Sequence, residues 1–189
     1  AVAGHTALHA AVLRGNLEAV EVLLRHGANT EALLETPTPA RRQSTDYNFH
    51  DSLLGATPLW LAARFSEPQI MQALLAAGAN ANIVNNVQFP AERLGENFIK
   101  EEGDISLLMA AVGLGHPRLR MSWGTPERRA GQTGGSRESL VLESVKIAIA
   151  AGVDPNLENA DGLSALDYAK NRRYGSVVDY LLAAGAREE

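Results

Sequence analysis

Cysteine is absent from the 189 residues, which excludes disulfides, thiolate zinc sites and thiol nucleophiles and leaves the redox compartment unmarked. Long apolar runs are absent as well. None approaches the roughly 18 residues of a bilayer span, and the first residues, AVAGHTALHA, lack the basic start of a secretory signal, so no membrane insertion is expected. Nor is there an excess of positive charge: 17 Lys and Arg stand against 22 Asp and Glu. The net charge of −5 argues against a general nucleic-acid surface and leaves only local basic patches. What the chain does have is an apolar content of 46%, enough to bury the core of one domain or one elongated array.

The stretch HTALHAAVLRG, His5 to Gly15, sets two histidines four residues apart on one helical face. Zinc proteases use that spacing, but with a glutamate directly after the first histidine as general base. Here Thr6 follows. The rest of the chain points to packing instead. TALHAAV at Thr6, TPLWLAA at Thr57, SLLMAAV at Ser106 and SALDYAK at Ser164 share a small hydroxyl residue, a leucine two positions later and alanines beyond. Each is followed by an apolar helical pattern closing on glycine: AVEVLLRHGAN, IMQALLAAGAN, VKIAIAAGVD and VVDYLLAAGA, with Gly27, Gly78, Gly152 and Gly185. The hydroxyls predict helix N-caps, Pro58 sits where its missing amide costs nothing, and the glycines predict left-handed C-caps. Leucines at helical spacing, among them Leu8, Leu24, Leu59, Leu74, Leu108, Leu166 and Leu181, predict a continuous core between stacked units.

The unit resembles the ankyrin repeat, a helix–turn–helix with a β-turn finger, a period of about 33 residues and a T-P-L-H-x-A signature. The resemblance implies an all-α solenoid of four helix–turn–helix repeats. Thr6, Thr57, Ser106 and Ser164 stand 51, 49 and 58 residues apart, so three long insertions of about 18, 16 and 25 residues are expected beyond the regular period. The first two, 33–54 and 83–103, lengthen fingers between repeats. The third, 117–140, falls between the two helices of its repeat. The repeats themselves are expected at about 4–32, 55–82, 104–156 and 162–189, in a single domain. Lys170 stands where earlier repeats carry Val12, Ala63 and Val112, which marks the last repeat as a cap. Leu8, Val12, Val20 and Leu24 give the first repeat an internal character, so upstream repeats are expected. The interrupted pattern, GATPLWLAARFSEP and SLLMAAVGLG, also resembles bacterial ankyrin proteins with long loops, which implies a periplasmic or secreted location.

Against that frame His9 occupies the signature histidine and is read as structural, because Trp60, Met109 and Asp167 stand at its place in the other repeats and give no ligand set. The first insertion gathers Asp46, His50 and Asp51, weak candidates for a metal or an acid–base pair. The plainer reading is a polar loop with Tyr47, Phe49, Leu53 and Leu54 tucked against the helices. The third insertion carries five arginines and Trp123, which suits an acidic partner, while its glycine-rich end suits a linker. Its GQTGGSR is not a phosphate loop, having neither the lysine nor a preceding strand.

The family's contact positions fall on Leu13, Arg14, Arg64, Phe65, Leu114, Asn171 and Arg172 on the first helices, and on Leu53, Leu54 and Ile105 in the fingers. Arg64 and Phe65 are expected at the rim of a groove that the first two insertions shape. The resulting expectation is a non-catalytic module that binds another protein, of unspecified identity, through its concave face and extended fingers, with no cofactor. Two alternatives stay open: a metal- or small-ligand-binding site built in the insertion loops, and a scaffold segment of a larger enzyme.

Overall fold

Every first helix of the repeat starts where a hydroxyl takes over an amide that the helix leaves unpaired. In the computed structural model, which describes residues 4–36, 49, 53–86, 103–113 and 136–188, Thr6, Thr57, Ser106 and Ser164 all lie in extended conformation. Each accepts from the backbone N–H three residues on, at 3.2–3.3 Å. Such a cap stabilises a helix by about 1 kcal/mol. At Thr6 and Ser164 the bond is reciprocated, His9 and Asp167 reaching back to the cap amide. The helices so begun are α1 (Ala7–Leu13), α3 (Pro58–Arg64), α5 (Leu107–Val112) and α7 (Ala165–Arg172). The second helices are α2 (Leu17–Arg25), α4 (Pro68–Ala76), α6 (Arg137–Ala150) and α8 (Gly175–Ala183). They run out into Gly27, Gly78, Gly152 and Gly185, all at positive φ.

The helices pair within each repeat, and like packs on like between repeats: α1 on α3, α3 on α5 and α5 on α7 in one layer, α2 on α4, α4 on α6 and α6 on α8 in the other. One apolar core runs between the layers from Leu8 to Ala186. Among the described residues there is no strand; two isolated antiparallel bridges, Asn85 with Ile105 and Glu158 with Ser164, mark the finger bases.

Those bases share one joint. The amides of Leu34, Asn85 and Asn159 donate to the carbonyls of Ala56, Ile105 and Leu163, each the residue just before the next N-cap. Between donor and acceptor lie three residues in the last finger, 160–162, against 21 and 19 in the first two. The surplus equals the first two insertions, which therefore hang from closed finger bases.

The third insertion behaves differently. Helix α6 starts at Arg137 behind the Ser136 cap, inside the span 117–140 read from the sequence as insertion, and is 14 residues long against nine for the other second helices. Its extra turn is used. Tyr174, at the start of α8, supplies no side-chain cap, and Glu138 reaches across to accept from the amide and hydroxyl of Ser176 at 2.8 and 2.7 Å. A carboxylate at a helix N-terminus is favourable both as hydrogen-bond acceptor and as charge against the dipole.

Candidate partner-binding surface

The His9 position is where the repeats are tied together. With Nδ1 2.8 Å from the Thr6 hydroxyl and accepting from the Thr6 amide at 3.1 Å, the ring carries its proton on Nε2 and donates to the Ala56 carbonyl at 3.2 Å. In the next repeat the indole N–H of Trp60 donates to the Ile105 carbonyl at 3.1 Å. Trp60 thus does the histidine's work with a different ring. Each of these two carbonyls takes one bond from the finger base and one from a ring, so both of its lone pairs are used. His9 is fully buried. Burial, which disfavours the imidazolium, lowers its pKa below the ordinary range, and the nearby His5 adds to this against the opposing bond to Ala56. The ring is neutral and structural.

Phe49, a described residue of the first insertion, enters the core. It is completely buried, 5.0 Å from the His5 ring and edge-on to His9 at 6.5 Å. Leu53 is buried with it and Leu54 half-buried; Tyr47 lies outside the described residues.

The surface expected from the family positions is redistributed. Leu13, Arg64, Phe65, Leu53 and Ile105 are all buried, which corrects their expected placement on an open contact face. Leu13 belongs to the core around α1, and Ile105 is held on both backbone polar atoms by Asn85. Phe65 caps α3 through the Leu61 carbonyl, with its ring 2% exposed, so neither it nor Arg64 stands at a rim. The cause is general to the middle of the array: every residue of α3 and of α5 is buried, so these first helices have no solvent-facing side. The two ends of the array differ from its middle. Arg14 and Asn171 are exposed. Arg172 is half-buried, its guanidinium 5.1 Å from the Tyr168 ring centroid and 3.3 Å from the Gly113 carbonyl to which it donates. Leu114 and Trp123 lie outside the described residues, as do Asp46, His50 and Asp51. Among the described residues no three His, Asp or Glu side chains form a group able to hold a metal, and no helix is long and apolar enough to cross a membrane.

What the sequence reading did not single out is the outer side of the fingers. Leu33 is 51% exposed and Leu157 37%, and Ile83 and Val84 in the middle finger are half-buried. Around them stand Glu31, Glu35, Asp104, Asp154, Glu158 and Asp161, and residues 29–36, 80–86, 103–105 and 153–163 contain no Lys or Arg. The fingers are held stiffly. The side chains of Asn29, Asn80 and Asp154 each accept from the amide two residues on, at 2.9 Å. Glu31 and Asn156 bridge to the next repeat through the amides of Asn80 and Arg187.

The family model described as ankyrin repeats, in three copies, matches residues 2–85. Residues 2–85 thus belong to the ankyrin-repeat family. Beyond residue 85 the third and fourth helix pairs continue the same two-layer stacking with the same hydroxyl caps and closing glycines, so the all-α solenoid extends through the described residues. Comparison with curated proteins finds no match. Ankyrin repeats generally mediate protein–protein interaction, and the family is typically non-catalytic.

Proposed function

We propose that this chain is a non-catalytic binding module that engages another protein through its finger side and the exposed ends of the terminal first helices. The concave face is used at Arg14 and Asn171, and the central first helices serve as the floor that holds the fingers. The observation that carries this reading is the make-up of the described finger segments: Leu33 and Leu157 are exposed on stretches that hold carboxylates and no Lys or Arg, whereas Arg41, Arg42, Arg93 and Lys100 lie in the rest of the first two fingers and the other exposed large apolar residues, Val22 and Leu182, lie on the terminal second helices. Apolar anchors inside a ring of one charge favour a partner segment with apolar residues and basic flanks, since rim charges steer and orient while buried anchors supply most of the affinity.

The test is site-specific photo-crosslinking in the cell that makes the protein, with the crosslinker at Leu33, at Asn171 and, on the exposed side of a second helix, at Glu143. Adducts of one size at the first two positions, with the adduct at Asn171 lost when Leu33→Asp and Leu157→Asp are combined, are the expected result. Adducts as strong at Glu143 as at Leu33 refute the finger side as the contact surface.

A further inference from the structure

Equivalent positions in the four repeats reveal which side of each repeat faces which neighbour. Val12, Ala63 and Val112 are buried, and Lys170, their counterpart in the last repeat, is exposed. Val20, Met71 and Val145 are buried, and Val178 half-buried. These positions face the following repeat, and their cover ends with the array.

The opposite side shows the mirror pattern. Leu74, Ala148 and Leu181 are fully buried where Leu23 is only half-buried, and Ile70, Ser144 and Val177 are buried where Ala19 is half-buried. On the first helices Pro58, Leu107 and Ala165 are buried where Ala7 is exposed. These positions face the preceding repeat, and in the first repeat none of the described residues covers them. Ala19, Val22 and Leu23, with Asn16 and Glu18, line a shallow depression of about 420 Å³ there, and Val22 is 38% exposed.

The two ends of the array are not alike. At the far end Lys170 pairs with Glu188 at 3.0 Å in solvent, a polar finish of the kind terminal repeats carry. The near end keeps the small and branched apolar residues of an internal joint: Ala7, Ala10, Ala19 and Leu23.

We propose that this face of α1 and α2 docks one further ankyrin-type helix pair, a repeat of the same array stacked in the register of the existing joints, with small or branched apolar residues at the places of Val12 and Val20. The interface continues the three already present, which fixes the shape of the occupant: its first helix lies on Ala7 and Ala10, its second on Ala19 and Leu23. Head-to-tail stacking of a second copy is disfavoured, because it buries the Lys170–Glu188 pair against an apolar face.

The test joins a second copy of residues 4–36 directly ahead of Gly4 of the full chain, which spaces the two Thr6 caps at the regular period of about 33 residues. In the joined protein the amides of the original α1 and α2 should exchange with solvent more slowly by about tenfold or more, and the melting temperature should rise. Two controls keep the reading specific. The same fusion with Val12→Lys in the added copy should lose both gains. Ala19→Glu in the original repeat should leave the melting of the unfused chain unchanged and abolish the gains in the fusion. A folded added copy that leaves α1 and α2 exchange unaltered overturns the proposal. So does a dimer of the unfused chain in sedimentation that Ala19→Glu dissolves, since a second copy is then the occupant.

Discussion

Replacing Phe49 by alanine asks whether an insertion residue is part of the core. A phenylalanine ring buries roughly 150–250 Å², and at about 25 cal/mol per Å² the transfer loss alone reaches several kcal/mol. Phe→Ala changes in packed interiors cost about 3–5 kcal/mol once the cavity left behind is included. The value for Phe49 should fall in that range because the side chain is 0% exposed and lies against two rings, His5 and His9, the second of which is held by the α1 cap. Urea unfolding followed by circular dichroism is the assay. With a slope of about 1–3 kcal/mol per molar, the midpoint of the first two repeats should fall by about 1 M or more. Leu33→Ala, at the 51% exposed neighbour in the finger, should stay within about 0.5 kcal/mol. A second readout is independent of stability: opening the site to water relieves the burial that lowers the His9 pKa, so the imidazole should titrate closer to about 6.5 by NMR. A Phe49→Ala loss below about 1 kcal/mol with an unshifted His9 titration refutes the claim that the insertion is anchored here.

Trp60→Phe keeps the ring but leaves the Ile105 carbonyl with one donor fewer, for an expected loss of about 1–3 kcal/mol; Trp60→His, which restores a ring N–H as at His9, should recover part of it. Glu138→Ala removes the acceptor at the start of α8 and should destabilise by about 1 kcal/mol, seen first as faster exchange of the Ser176 and Val177 amides. The neutral, buried His9 makes stability depend on pH with a definite sign: the unfolded chain takes up its proton first, at about pH 6.5. The contribution is therefore complete above that value and is lost as pH falls from it toward the lowered folded pKa. His9→Gln should flatten this part of the denaturation-versus-pH curve.

The helix pairs were legible because each is announced locally. A hydroxyl followed two residues later by leucine, and a glycine closing the second apolar run, report interactions made within a few residues. The start of α6 was equally local, Ser136 with Glu138 in its first turn, but a template of fixed repeat length hid it and assigned Glu138 to a loop. Trp60 was legible in principle: at a position where a histidine ring donates, the indole is the other ring with an N–H to give. Burial of Leu13, Arg64 and Phe65 was not legible in that way. Whether the end of a first helix is wet depends on which distant chain crosses it, and that information is spread over residues far apart in sequence. The internal character of the first repeat was read from Leu8, Val12, Val20 and Leu24, but burial sets Val12 and Val20 toward the following repeat and leaves Ala19 and Leu23 on the other side, half-exposed.

The joints explain why long insertions leave the solenoid in register. A carbonyl just ahead of each N-cap closes the finger, and in the first two fingers the same oxygen also receives the ring N–H of the preceding first helix. The spacing between repeats is thus set at the closed base of each finger, by Leu34 with Gly55 and Ala56 and by Asn85 with Ile105. Lengthening a loop whose ends are already fixed costs slowly, as about (3/2)RT ln n, so each doubling adds only about 0.6 kcal/mol. That is less than the net worth of one typical hydrogen bond, about 1 kcal/mol, and each of these bases makes two between backbone groups: Leu34 with Ala56 and Gly55, Asn85 with Ile105 in both directions. Finger length is therefore free to vary while the helical layers stay aligned, so chemistry placed in the fingers away from core anchors such as Phe49 is separable from the stability of the array that carries it.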